Sequence, residues 1–82
     1  MIISENWAVS TARIETFLHE QPDVSYSEEQ FKYRDCVIKL TPTMGYLGDM
    51  KIPRTLVYME GPKEQIEAIY KRFFLRFLSA GG

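Results

Sequence analysis

Apolar residues fall at Ile66, Ile69, Tyr70, Phe73, Phe74 and Phe77, in steps of three and four that place them on one side of a helix. The pattern predicts a helix from Lys63 to about Ser79. Pro62 suits the first helical position, where no amide donor is needed, and Gly81-Gly82 ends the segment. Glu64 and Glu67 near the start and Lys71, Arg72 and Arg76 in the second half complement the helix dipole, and Glu67 with Lys71 has the spacing of an ion pair. Two leucines depart from the stripe. At about 100° per residue, Leu75 lies near 180° from its centre and Leu78 near 120°, which points to a second contact surface.

Upstream the period shortens. Arg54–Glu60 is β-branched and aromatic and runs into Gly61-Pro62, so it reads as a strand. Cys36–Thr41 is another, stopped by Pro42. Phe31–Arg34 alternates apolar and basic residues and either extends that strand backwards or forms its own. A short strand fits Val24–Tyr26, with a turn at Ser27-Glu28-Glu29. A helix fits Thr11–Glu20, with Ile14, Phe17 and Leu18 inward and Pro22 ending it. Residues 1–10 admit two readings. In the favoured one, Ser4 caps a long helix that puts Trp7 on the inner face. In the other, Ile3, Glu5, Trp7 and Val9 alternate as a strand, and Ser10 caps a shorter helix with a Val9–Ile14 staple.

The expected fold is therefore a single α+β domain over residues 1–82. An antiparallel sheet of three to four strands is packed by an N-terminal and a C-terminal helix. The order is αβββα or, with the strand reading, βαβββα, which resembles an incomplete ferredoxin-like fold.

Composition narrows the chemistry. The chain has 82 residues, so its margin of stability is thin unless something supplements the core. The only cysteine, Cys36, excludes an intrachain disulfide and sits beside Val37 and Ile38 as a small core residue does. One cysteine and one histidine, His19, cannot supply a structural zinc site, and no cofactor is expected. The apolar run needed for a membrane span is absent, as are the features of a signal peptide, so a cytoplasmic location is expected. Charge is uneven. Residues 1–30 hold six acids and one base, and residues 31–82 hold nine bases and five acids, which opposite contacts within the fold or between copies would satisfy.

The segment Pro42–Pro53 joins two strands with twelve residues, where hairpins use two to five. It carries Met44, Tyr46, Leu47, Met50 and Ile52. A loop this apolar either folds back on the core, pairs as a further strand or meets a partner, and methionines suit adaptable binding surfaces. Gly45 and Gly48 lack the lysine and hydroxyl residue of a phosphate loop. Cys36 has no histidine beside it to activate a thiolate, and His19 in the last turn of its helix suits the dipole.

The leading expectation is a non-enzymatic module that binds a protein partner, or a second copy as a homodimer, through Met44, Tyr46, Leu47, Met50, Leu75 and Leu78. The alternative is a nucleic-acid-binding regulator that uses Lys32, Arg34, Arg54, Lys71, Arg72 and Arg76, with Phe31, Tyr33 and Tyr58 as sheet aromatics.

Overall fold

The computed structural model describes residues 1–81, with side-chain surroundings through Leu78. Its elements are β1 (Ile2–Trp7), α1 (Thr11–Glu20), β2 (Val24–Ser27), β3 (Gln30–Tyr33), β4 (Cys36–Leu47), β5 (Met50–Glu60) and α2 (Lys63–Gly81). The strands form one antiparallel sheet in the order β1-β5-β4-β3-β2, five strands where three to four were expected. Gly82 lies outside the described residues, and the expected terminator is represented only by Gly81, the last residue of α2.

Residues 2–7 are a strand, which overturns the favoured long helix. Ile3 pairs with Met59 and Trp7 with Thr55 along β5, so the backbone groups of β1 are satisfied by a sheet edge rather than by a helical turn. The chain start is tied down as well: the Met1 ammonium donates to the Gly61 carbonyl at 2.9 Å, and the Gly61 amide donates to the Met1 carbonyl at 3.1 Å. Ser10 is the residue before α1, as the strand reading expected, but its side chain makes no cap hydrogen bond. The helix entry is held instead by Thr55. Its hydroxyl donates to the Val9 carbonyl at 2.8 Å, which leaves the Thr11 hydroxyl to donate to Thr55, also at 2.8 Å. Val9 and Ile14 are both buried, as a staple requires.

β2 to β5 form a meander. Each connection is a two-residue turn, flanked by the pairs Ser27↔Gln30, Tyr33↔Cys36 and Leu47↔Met50. The turns demand unusual backbone: Glu28 and Glu29 have φ of 53° and 64°, Arg34 has 55° and Gly48 has 62°. Positive φ at both Glu28 and Glu29 is the type I′ arrangement, whose sense of twist matches the strands; in the other two turns only the first central residue has positive φ. β1 and β2 run parallel at opposite edges with three strands between them, so α1 carries the chain across the whole sheet. Four strand gaps at about 4.8 Å make about 19 Å, and ten helical residues supply about 15 Å of it. The element order is therefore βαββββα, one strand more than the strand reading of the sequence gives.

Both helices cover one face of the sheet. Ile14, Phe17 and Leu18 of α1 and Ile66, Ile69, Phe73 and Phe77 of α2 meet Phe31, Tyr33, Cys36, Ile38, Val57 and Met59 from the strands in one core. Tyr70 and Phe74, expected in the buried stripe, sit on its flank. Their rings lie 6.2 Å apart in a stack and lean edge-on toward Trp7 at 6.4 and 6.1 Å. The Tyr70 hydroxyl donates to Glu5 at 2.8 Å and the Trp7 indole to the same oxygen at 3.2 Å. Burial and that carboxylate push the Tyr70 phenol up to about 12. On the other flank Arg72 grips Asp23 through two contacts of 2.9 and 3.1 Å, and Arg76 meets Glu20 at 3.3 Å. The acidic first third and the basic remainder are thus partly reconciled within one chain. Glu67 pairs back to Lys63 at 3.8 Å rather than forward to Lys71.

Candidate protein-interaction surface

β4 and β5 are longer than their neighbours. β3 pairs only with Cys36–Ile38 of β4, and β1 reaches no farther along β5 than Thr55. Beyond those points the two strands pair only with each other, through Thr43↔Arg54, Met44↔Pro53, Gly45↔Ile52, Tyr46↔Lys51 and Leu47↔Met50. The expected loop 42–53 is therefore a projecting two-stranded arm closed by Gly48-Asp49. It contributes to a molecule 41 Å long and only 27 by 23 Å across.

Two prolines make the arm possible. Leu47 and Met50 flank a two-residue turn and so form a hydrogen-bonded pair, and hydrogen-bonded and open pairs alternate from there. Counting back, Met44↔Pro53 and Pro42↔Thr55 are open pairs. The nitrogens of Pro42 and Pro53 face away from the β4–β5 ladder, so neither proline removes a ladder bond. Pro53 lies on the free side of β5 and Pro42 on the side of β4 that β3 leaves uncovered. Proline is tolerated in a strand on just such an edge, and it blunts the edge against pairing with another strand.

The arm is braced at its root on the helix-free side of the sheet. Arg54 Nε donates to Asn6 Oδ1, and Asn6 Nδ2 donates to Thr43 Oγ1 at 3.0 Å. The stem of Arg54 lies over Gly45, where an added Cβ would come within 2.6 Å of Arg54 Cδ. Glycine at 45 is therefore room for the brace.

Toward the tip the side chains are left exposed by the described residues. Met44 is 53% exposed, Tyr46 68%, Leu47 67% and Met50 66%. Strand alternation sends Met44 and Tyr46 to the helix side and Leu47 and Met50 to the other, so the tip is apolar on both faces. Asp49 and Lys51 supply its charges. A second exposed patch lies on α2, where Phe74 is 38%, Leu75 60% and Leu78 56% exposed. It adjoins Lys71 and Glu67 on the flank away from α1. The six side chains singled out from the sequence for protein binding thus fall into two separate patches, and Phe74 was missed because its spacing matched the buried stripe.

The basic residues do not converge. Lys32 and Arg54 point to the helix-free face, joined by Lys39. Arg34 occupies the β3–β4 turn, and its guanidinium lies 5.6 Å from the Tyr33 ring. Lys71, Arg72 and Arg76 belong to α2 on the opposite side, the last two engaged with Asp23 and Glu20. Phe31 and Tyr33 are buried under the helices. Tyr58 alone of the three aromatics is on the open face, where it donates to Glu60 at 3.0 Å.

Cys36 is buried, with its thiol 3.6 Å from Gln65 Oε1. Burial, with the Asp35 charge nearby, pushes the thiol pKa up, away from thiolate chemistry. His19 is exposed and rests its ring edge-on against Phe31 and Tyr26 at 5.1 and 5.9 Å. Among the described residues no three His, Cys, Asp or Glu side chains cluster as metal ligands, and no helix is long and apolar enough to cross a membrane. Comparison with protein-family models, with curated proteins and with solved structures returned no match.

Proposed function

We propose that this chain is a non-enzymatic interaction module whose β4–β5 arm carries the docking surface. One observation carries the reading: four large apolar side chains are exposed together on both faces of a ladder that has no core of its own. An apolar patch of this kind on a small chain marks a contact site. Because both faces are apolar, either can meet a partner. The prolines on its edges favour recognition by side chains over strand addition. The nucleic-acid alternative is weakened by the engagement of Arg72 and Arg76 with acidic residues of the same chain.

The test is a photo-crosslinking residue substituted at Tyr46 and, as a control, at Glu64 on the far end of α2. In extract of the native host the arm position should trap a discrete protein band, a host protein or a second copy of the chain, that the control position does not. No band, or the same bands from both positions, would overturn the reading.

A further inference from the structure

Resting on the arm reading above, we infer that the arm's occupant is a second copy of this chain, with each arm tip seated on the Phe74, Leu75 and Leu78 flank of the partner's α2. The chain carries both halves of such a contact. The tip and the helix patch are separate on one protomer, and a twofold axis places each against the other, because an isologous interface pairs patch i with j and j with i.

The areas fit. From their exposures, the four tip residues and three helix residues present on the order of 800 Å² of surface per chain. Two reciprocal contacts would remove at most on the order of 1,600 Å², the size of a standard stable interface, and about 1,100 Å² with one face of each tip covered, still above the threshold for a specific one. A single contact would remove half of that, which is the range of weak encounters.

The charges fit too. Asp49 and Lys51 are two residues apart on the arm, and Lys71 and Glu67 are four apart on α2 beside the leucines. Asp49 is in the turn and Lys51 is the second residue of β5, while Glu67 and Lys71 stand one helical turn apart, about 6 Å. Asp49 can face Lys71 while Lys51 faces Glu67. Among the described residues Glu67 is held in its own chain only by an exposed 3.8 Å contact to Lys63, which is readily exchanged.

Sedimentation of the purified chain over a concentration series should give a dimer with a dissociation constant in the range of ~1 µM. Leu47→Lys on the arm and Leu75→Asp on the helix should each weaken it by about a hundredfold. Mixing these two variants should restore a heterodimer, since one contact then pairs lysine with aspartate and the other is unaltered. A parent chain that stays monomeric up to ~100 µM, a dimer indifferent to Leu75→Asp, or a mixture that remains monomeric would overturn the inference. A monomer whose position-46 crosslinker still traps one host protein would sink self-docking and leave the arm reading standing. A monomer that traps nothing would sink both.

Discussion

β4 and β5 run through two regions of opposite character. At their base Cys36, Ile38, Val57 and Met59 are buried beneath two helices. A few residues on, Met44, Tyr46, Leu47 and Met50 of the same two strands are exposed. The ladder between them is continuous and the apolar content is similar. What changes is coverage: α1 and α2 lie over the base, and none of the described residues lies over the tip. Hydrophobicity therefore does not decide burial on its own, and exposed apolar surface in regular structure is available for contact. Folding energy resides in the base, and the arm contributes little to it.

The largest effect should come from the base. Phe73 is fully buried and meets both Trp7 and Phe17 edge-on, at 4.8 and 6.1 Å. Phe73→Ala should cost about 3–5 kcal/mol, enough to abolish the cooperative melt of a chain this small. A variant melting within a few degrees of the parent would show that the base is not where stability lies.

A smaller loss is expected where β5 gives way to α2. A methyl at Gly61 would approach Cys36 Sγ to 2.7 Å and Cys36 Cα to 2.9 Å. The backbone atom cannot swing aside, so the strands must separate locally. Gly61→Ala should cost about 1–3 kcal/mol, as overpacking does. Chemical denaturation would read this as a lower midpoint with an unchanged slope.

These two positions differ in how legible they were. The α2 stripe could be read from spacing alone because a helix buries a fixed set of positions. The N-terminus could not. Ile3 and Trp7 are four apart, a spacing that shares a face in a helix and also in a strand. What decided between them was the vacant edge of β5, a fact of tertiary structure. Pairing within 42–53 was one of the readings open to the sequence, but the strand bounds at the two prolines were misread for a related reason. Pro42 and Pro53 are breakers where a strand has neighbours on both sides and harmless where one side is open. The openness of that side depends on the shortness of β3 and β1. The turn at Glu28-Glu29 was legible in place but not in type, since Glu28-Glu29 is not the Asn-Gly or Asp-Gly that a type I′ turn favours. The apolar residues of 42–53 were legible as a candidate contact surface, whereas their division between two faces required the register.

At the rim of the base, the Arg72–Asp23 pair should act modestly and with a defined pH dependence. The Arg72 guanidinium holds the Asp23 carboxyl below its ordinary range and is itself held charged in return. A depressed carboxyl pKa stabilises the fold above the unfolded value, near 4, and that contribution is lost as pH falls through the folded value. Both side chains are more than a third exposed, so the worth of the pair is about 0.5 kcal/mol. The urea midpoint of Asp23→Asn should trail the parent slightly at pH 7 and converge with it in acid. A gap that widens in acid would contradict the assignment.

The smallest effect should come from the arm, and its smallness is what the comparison rests on. Leu47→Ser with Met50→Ser removes two of the most exposed apolar side chains in the molecule. Neither is buried in the core, so no cavity opens. Their backbone pairing across Gly48-Asp49 does not depend on the side chains. Substitutions at such positions usually change stability by no more than about 0.5 kcal/mol. At low concentration, where any dimer has dissociated, the variant should melt within a degree or two of the parent. At high concentration the two should diverge if the tip is buried between copies, because association stabilises the folded state by mass action. A large loss at low concentration would mean that the tip folds onto its own chain, and the contrast between base and arm would fail.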